Sequence, residues 1–154
     1  RFEEVARLCQ EAGFETVRRS RGRVPSARAE IYLGDSMGEL QALYGTADLA
    51  FVGGSLVPIG GHNLLEPALM GVPVVTGPHL DNFEDVAQLL RDAGALVEIA
   101  DADELVERVA ALLEDAEQRK RLSEAGQGVI DTHRGALEAT LAGLDRLLGH
   151  GQGR

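Results

Sequence analysis

The sequence has no tryptophan, a single cysteine and a single lysine, and only 4% of its 154 residues are aromatic. Each scarcity excludes something. With Cys9 alone, no disulfide can close within the chain and no thiolate cluster can hold a metal. Cys9 falls on an apolar helical face, where a small buried hydrophobe is expected. With so few aromatics, the core has to be built from Leu, Val, Ile and Ala. No apolar run approaches the ~18 residues of a membrane-spanning helix, and no signal peptide is visible. The expected compartment is therefore cytoplasmic. Acidic residues outnumber basic ones 25 to 15, a net charge of −10, and such a surface repels phosphate backbones. Nucleic acid is not an expected partner. Arg18, Arg19, Arg21, Arg23 and Arg28 nevertheless cluster. They read as a solvated strand end and loop, with contact to an anionic surface as the alternative.

What is present has the composition of an ordinary globular domain, 44% apolar and 26% charged. Helical spacing runs over residues 2–13 and stops at Gly13. Strands are expected at 15–18 and 31–33, with a polar loop between them. Ser36 and Glu39 have the spacing of a capping box for a helix reaching Tyr44. The apolar run at 47–52 suits a strand covered on both faces, 72–76 is again nearly all apolar, and 95–99 reads as another strand. Between them, helices are expected from His62 or Asn63 to Met70, and from Asp81 or Asn82 to about Ala93. Asp101 or Asp103 can cap a further helix carrying Leu105, Val109, Leu112 and Leu113. Residues 116–148 read as helix with a break around 126–135, and 149–154 as a flexible tail. This alternation of short apolar strands and amphipathic helices predicts an α/β fold, a Rossmann-like parallel sheet flanked by helices. The chain opens at Arg1 directly on a helix, so a further segment is expected upstream.

Ligands of such sheets bind at the carboxyl ends of the strands. Three loops there are unusual. In Gly34-Asp35-Ser36-Met37-Gly38-Glu39, the Met37 thioether can lie against a flat base, and Glu39 can accept from a sugar hydroxyl or a base amine. The bland alternative is a capping box with Met37 in the core. The second loop, Gly53–Pro67, places Gly60 and Gly61 just ahead of a helix start, where free amides suit a phosphate. Asn63 can donate to that phosphate or cap the helix. Glu66, on the same side of the helix, can accept from both hydroxyls of a ribose. His62 and Glu66 also have the spacing of two metal ligands, but no third ligand is close in sequence, so no metal is expected. Neither a dinucleotide fingerprint nor a P-loop is present. In the third loop, Gly77–Phe83, His79 and Asn82 can line the same cleft or simply form a turn and a helix cap.

These residues carry a resemblance. Glu66-Pro67-Ala68-Leu69-Met70-Gly71-Val72-Pro73-Val74-Val75 resembles the Glu…Gly-x-Pro-Val stretch of GT-B glycosyltransferases. Gly34–Leu40, Gly53–Pro67 and Gly77–Phe83, in that order, are similar to segments of the Kdo (3-deoxy-D-manno-octulosonic acid) transferases. The resemblance implies the C-terminal half of a GT-B fold, a donor-binding domain over 1–148 truncated at its N-terminus, with the acceptor domain absent. It implies CMP-Kdo as donor and a lipid A precursor as acceptor, in lipopolysaccharide biosynthesis at the cytoplasmic face of the inner membrane. It implies no metal and no cofactor. Met37, Gly38, Glu39, Asn63, Leu64, Leu65 and Glu66 match the segments that hold CMP, with Ser36, Gly60, Gly61 and His62 as possible further contacts. The catalytic carboxylate belongs to the other half in this family, so no catalytic residue, and no activity, is expected within this chain alone. Arg1-Phe2 looks like the end of a His-Pro-Glu-Arg-Phe motif. The alternatives are a GT-B domain for a UDP-sugar, in a transferase or epimerase, and a non-catalytic module that binds sugar nucleotides.

Overall fold

The computed structural model describes residues 2–22 and 24–149, with side chains up to residue 135. Expectations resting on Arg1, Arg23 and residues 150–154 lie outside the described residues. The chain forms two compact units, Arg1–Leu43 and Tyr44–Arg154.

The first unit contains α1 (Phe2–Glu11), β1 (Thr16–Arg18), β2 (Ile31–Leu33) and the start of α2 (Leu40–Tyr44). β1 and β2 pair in parallel, Thr16 opposite Ile31 and Arg18 opposite Leu33, and α1 packs on β1. Two three-residue strands cannot cover a whole helical face. Ala6 is accordingly the only buried residue among those described in this unit, and Cys9, expected in the core, is half-buried. α2 starts at Leu40, three residues later than the Ser36 cap implies.

The second unit runs β3 (Ala50–Val52), α3 (Leu65–Leu69), β4 (Val74–Thr76), α4 (Glu84–Asp92), β5 (Leu96–Glu98), α5 (Ala102–Glu114) and α6 (Ala116–Gly149). Its sheet has the order β3-β4-β5, all parallel, with Val52, Thr76 and Glu98 aligned across it. Both faces are covered. Val74 packs with Leu64, Leu65, Ala68, Leu90 and Ile130 on one side, and Val75 packs with Ile99, Leu112 and Leu122 on the other. Burial on both faces is why β4 reads as an unbroken apolar run, whereas β3 leaves Phe51 exposed and β5 is only partly buried. Each fully buried Leu contributes roughly 2 kcal/mol.

Asp101 caps α5, accepting from the amides of Asp103 and Glu104 at 3.0 and 2.9 Å, so Asp103 lies inside the helix. The Arg119 guanidinium donates to the carbonyls of Leu112 and Leu113, fastening the end of α5 to α6. The break expected in α6 falls at His133, where φ is −114°. Gly149, read as tail, still belongs to α6. Among the described residues, no helix is long and apolar enough to cross a membrane.

Candidate functional site

In the first unit the turn after β2 is organised by charge. Asp35 accepts from the Ser20 hydroxyl at 2.6 Å, the Ser20 amide at 2.7 Å and the Arg18 guanidinium at 2.7 Å. Its side chain is only 1% exposed. The Ser20 bonds first, and then Arg18, hold the Asp35 carboxyl far below the usual carboxylate range. Arg18 also reaches Glu3. Beyond Asp35 the chain turns through Gly38 at a φ of +77°. Met37 stands 84% exposed on this turn. The reading of Met37 as a core residue is thus overturned: the left-handed turn at Gly38 swings it outward.

The expected capping box is also absent. The Ser36 hydroxyl donates to the Glu39 carboxylate rather than accepting from its amide, and the first helical bond runs from the Leu43 amide to the Glu39 carbonyl. Glu39 is therefore the N-cap. Its carboxylate also accepts from Arg19 at 2.6 Å, and Ser36 and Arg19 together keep it ionised well below the usual range.

In the second unit the loops after β3 and β4 interlock. Ser55 is fully buried, and its hydroxyl donates to the Val52 carbonyl at 2.6 Å and accepts from the Gly77 amide at 2.9 Å. The Ser55 carbonyl accepts from the His79 amide at 3.0 Å. The Gly61 amide bonds to the Gly54 carbonyl at 3.0 Å, and the Asn82 amide to the Gly60 carbonyl at 3.2 Å. Gly60 and Gly61 both have positive φ, +91° and +72°, and a Cβ on either would press on Asn82 or on the His79–Leu80 segment. The loop's tip projects outward, with Val57 and Ile59 51% and 60% exposed.

Past this lock come the residues singled out from the sequence. His62 is exposed, whereas Gly60 and Gly61 are buried. Asn63 accepts from the Leu65 amide at 3.0 Å and donates to the Glu66 carboxylate at 3.3 Å. α3 therefore begins at Leu65 and not at His62 or Asn63, because the Asn63 side chain forms a local turn that competes with helix. Two amides expected to face phosphate, those of Gly61 and Leu65, are already taken by Gly54 and Asn63. Leu64 and Leu65 bury their side chains completely, so only their backbone can meet a ligand. Asn63 and Glu66 stay partly exposed.

Tyr44 and Ser55 were not anticipated as residues of the site. Tyr44 is half-buried, and burial first, then the Glu66 charge, raises its phenol above the usual range. Asn82 does not cap α4. Its amide group reaches back to the Ile59 carbonyl, and the cap position is Phe83 without a side-chain bond. Only Ser55, a hydroxyl following Gly-Gly at a strand end, left a readable trace in the sequence. Thr76 Oγ1, fully buried, finds no partner among the described residues.

Among the described residues, no three His, Cys, Asp or Glu side chains are grouped to hold a metal. A cavity of about 220 Å³ lies elsewhere, between β5, α5 and the start of α6, and none of the glycine-loop residues lines it.

The sequence matches the family described as glycosyl transferases group 1 over residues 17–129. The 3-deoxy-D-manno-octulosonic acid transferase of Haemophilus influenzae is 45% identical over 142 residues, which is 92% of this chain and 33% of that protein. The transferase of the same description from Bordetella pertussis is 39% identical over 150 residues, 97% of this chain and 35% of that protein. The chain thus spans about a third of the length of these relatives. The crystal structure of the C-terminal CMP-Kdo binding domain of WaaA from Acinetobacter baumannii superposes with a TM-score of 0.81 at 40% identity, over 84% of this chain and 68% of that one. A parallel α/β fold, glycine loops at its strand ends, and likeness on this scale in both sequence and structure make the chain a member of the group 1 glycosyl transferases, with a GT-B C-terminal, Rossmann-like fold.

Proposed function

We propose that this chain binds CMP-Kdo and serves as the donor domain of an enzyme that transfers Kdo to a lipid A precursor. The observation that carries this reading is the Asn63–Glu66 pair at the carboxyl end of β3, in a chain 40% identical to a CMP-Kdo binding domain. Glu66 is partly exposed and already oriented by Asn63, which suits a carboxylate accepting from two ribose hydroxyls. The backbone of 62–64, ahead of α3, is where the phosphate is proposed to lie, His62 beside it. With the Gly61 and Leu65 amides spent, that contact is narrower than a full helix N-terminus.

The Ser36–Glu39 turn is proposed on its own account as a donor contact. Its exposed Met37 thioether offers a surface to a flat base, and Gly38 lets the backbone approach. Glu39, kept anionic by Ser36 and Arg19, offers an acceptor to an amine or hydroxyl. We assign the catalytic base and the acceptor site to residues outside this chain, and the whole enzyme to the cytoplasmic face of the inner membrane. The basis is the family resemblance and the third of the relatives' length that the chain spans.

The test is a titration with CMP and then UMP, followed by backbone amide shifts, with Glu66→Ala as control. CMP is expected to shift Met37–Glu39 and Asn63–Glu66, and Glu66→Ala to weaken binding by about tenfold, as for loss of hydrogen bonds to a charged group. An equal response to UMP would redirect the assignment to a uridine-nucleotide enzyme, and no response to either would sink it.

A further inference from the structure

We infer that Ser55 is the positioning residue of the donor site, fixing where Asn63 and Glu66 stand without touching the ligand. The inference rests on the CMP-binding reading above. Ser55 is fully buried, and its three short bonds tie together two strand ends. Its hydroxyl joins the last carbonyl of β3 to the first amide after β4, and its own carbonyl holds the His79 amide. The backbone of Gly77 lies so close to it that a Cβ on Gly77 would overlap the Ser55 carbonyl.

The next contacts outward continue this lock. Gly54, the neighbour of Ser55, receives the Gly61 amide and so closes the loop at its neck. Gly60 receives the Asn82 amide from the loop after β4. Asn63 follows Gly61 by two residues, and its side chain sets both the Leu65 amide and the Glu66 carboxylate. The path from Ser55 to Glu66 therefore runs through backbone bonds as far as Gly61 and ends on the short Asn63 side chain. A hydroxyl is the right group at its root, because it both donates and accepts at one buried point. Alanine would leave the Gly77 amide and the Val52 carbonyl without that partner. The neck would then loosen, and the carboxylate with it.

The experiment measures CMP affinity by calorimetry and amide hydrogen exchange on the full-length protein. The variants are Ser55→Ala, the near-isosteric Ser55→Cys, and Leu122→Val as a control that weakens the core without removing any of the Ser55 bonds. Ser55→Ala is expected to weaken CMP binding about tenfold and to speed exchange at Gly61, Gly77 and His79. Ser55→Cys should fall between it and the wild type, and Leu122→Val should bind CMP as the wild type does. If Ser55→Ala does not fold, the Ser55→Cys comparison decides. Ser55 variants that lose stability but bind CMP normally would overturn the inference and leave the donor assignment standing. A wild type that does not bind CMP would instead overturn the donor assignment, and the inference with it.

Discussion

The turn after β2 and the loop after β3 each lead from a strand end to a glutamate, Glu39 and Glu66, but different forces hold them. The first is held by ions: Arg19 on Glu39, and Arg18 with Ser20 on a buried Asp35. Its unit has one buried residue among those described. The second is held by neutral backbone bonds, a buried hydroxyl, and glycines against which neighbouring chain packs, over a sheet buried on both faces. The first arrangement should tolerate changes of shape and respond to protons. The second should ignore protons and fail when atoms are added.

The largest expected effect tests shape. Gly77→Ala drives a methyl into the Ser55 backbone, which cannot swing aside, and should cost about 3 kcal/mol as overpacking of a tight interior. Gly38→Ala meets open space and pays only for its left-handed backbone, about 1–2 kcal/mol. Urea denaturation of both variants measures the difference, and equal losses would break the contrast.

Acid is the next test. Asp35 and Glu39 have lowered carboxyl pKa values in the folded chain, so the unfolded chain takes up protons first as pH falls. The stability they add is complete above the ordinary carboxylate range, near pH 4 to 5, and drains away below it. Amide spectra taken from neutral pH down into strong acid, well below the ordinary carboxylate range, should show Ser20 and Asp35 losing their native shifts while Gly61 and Gly77 keep theirs. Glu98, lowered by Arg91, responds to acid in the second unit as well, but at the surface of a unit with an apolar core. Asp35→Asn should remove most of the difference. Simultaneous loss at all four amides would show that charge does not set the two regions apart.

The smallest expected effect is a gain. Thr76→Val keeps the shape and removes a buried hydroxyl that has no partner among the described residues, which should stabilise the second unit by about 1 kcal/mol. A lower midpoint in urea would mean that this hydroxyl is bonded in solution.

The same division decides how much could be read from the sequence. Apolar runs betrayed β3, β4 and β5, most clearly β4, where burial on both faces leaves a mark at every position. Asp101 was legible as a cap because the helix it starts carries a strong apolar period. Loop interiors were less legible. The Ser36–Glu39 spacing matched a capping box, but the same two side chains bond to each other instead. Asn82 sat where a cap belongs, yet its partner is Ile59, a residue far away in sequence. The Asn63–Glu66 pairing was legible in their spacing, whereas the lock beneath them depends on contacts between loops that no local pattern encodes. The two short strands of the first unit were found, but not the shallow burial that left Cys9 half-exposed.

The bond from the Gly61 amide to the Gly54 carbonyl has an engineering consequence. It pinches the intervening residues into a ring whose outer arc is anchored at Leu56, packed on the core, and at the Ile59 carbonyl, held by Asn82, and projects between them at Val57. Such an arc behaves as an interchangeable cassette. A short epitope or a dye-bearing peptide spliced in after Val57 would enlarge the ring without moving its neck, at a closure cost of only about 0.6 kcal/mol for each doubling of its length. The loop would then report, from within a few residues of Glu66, on whatever arrives there.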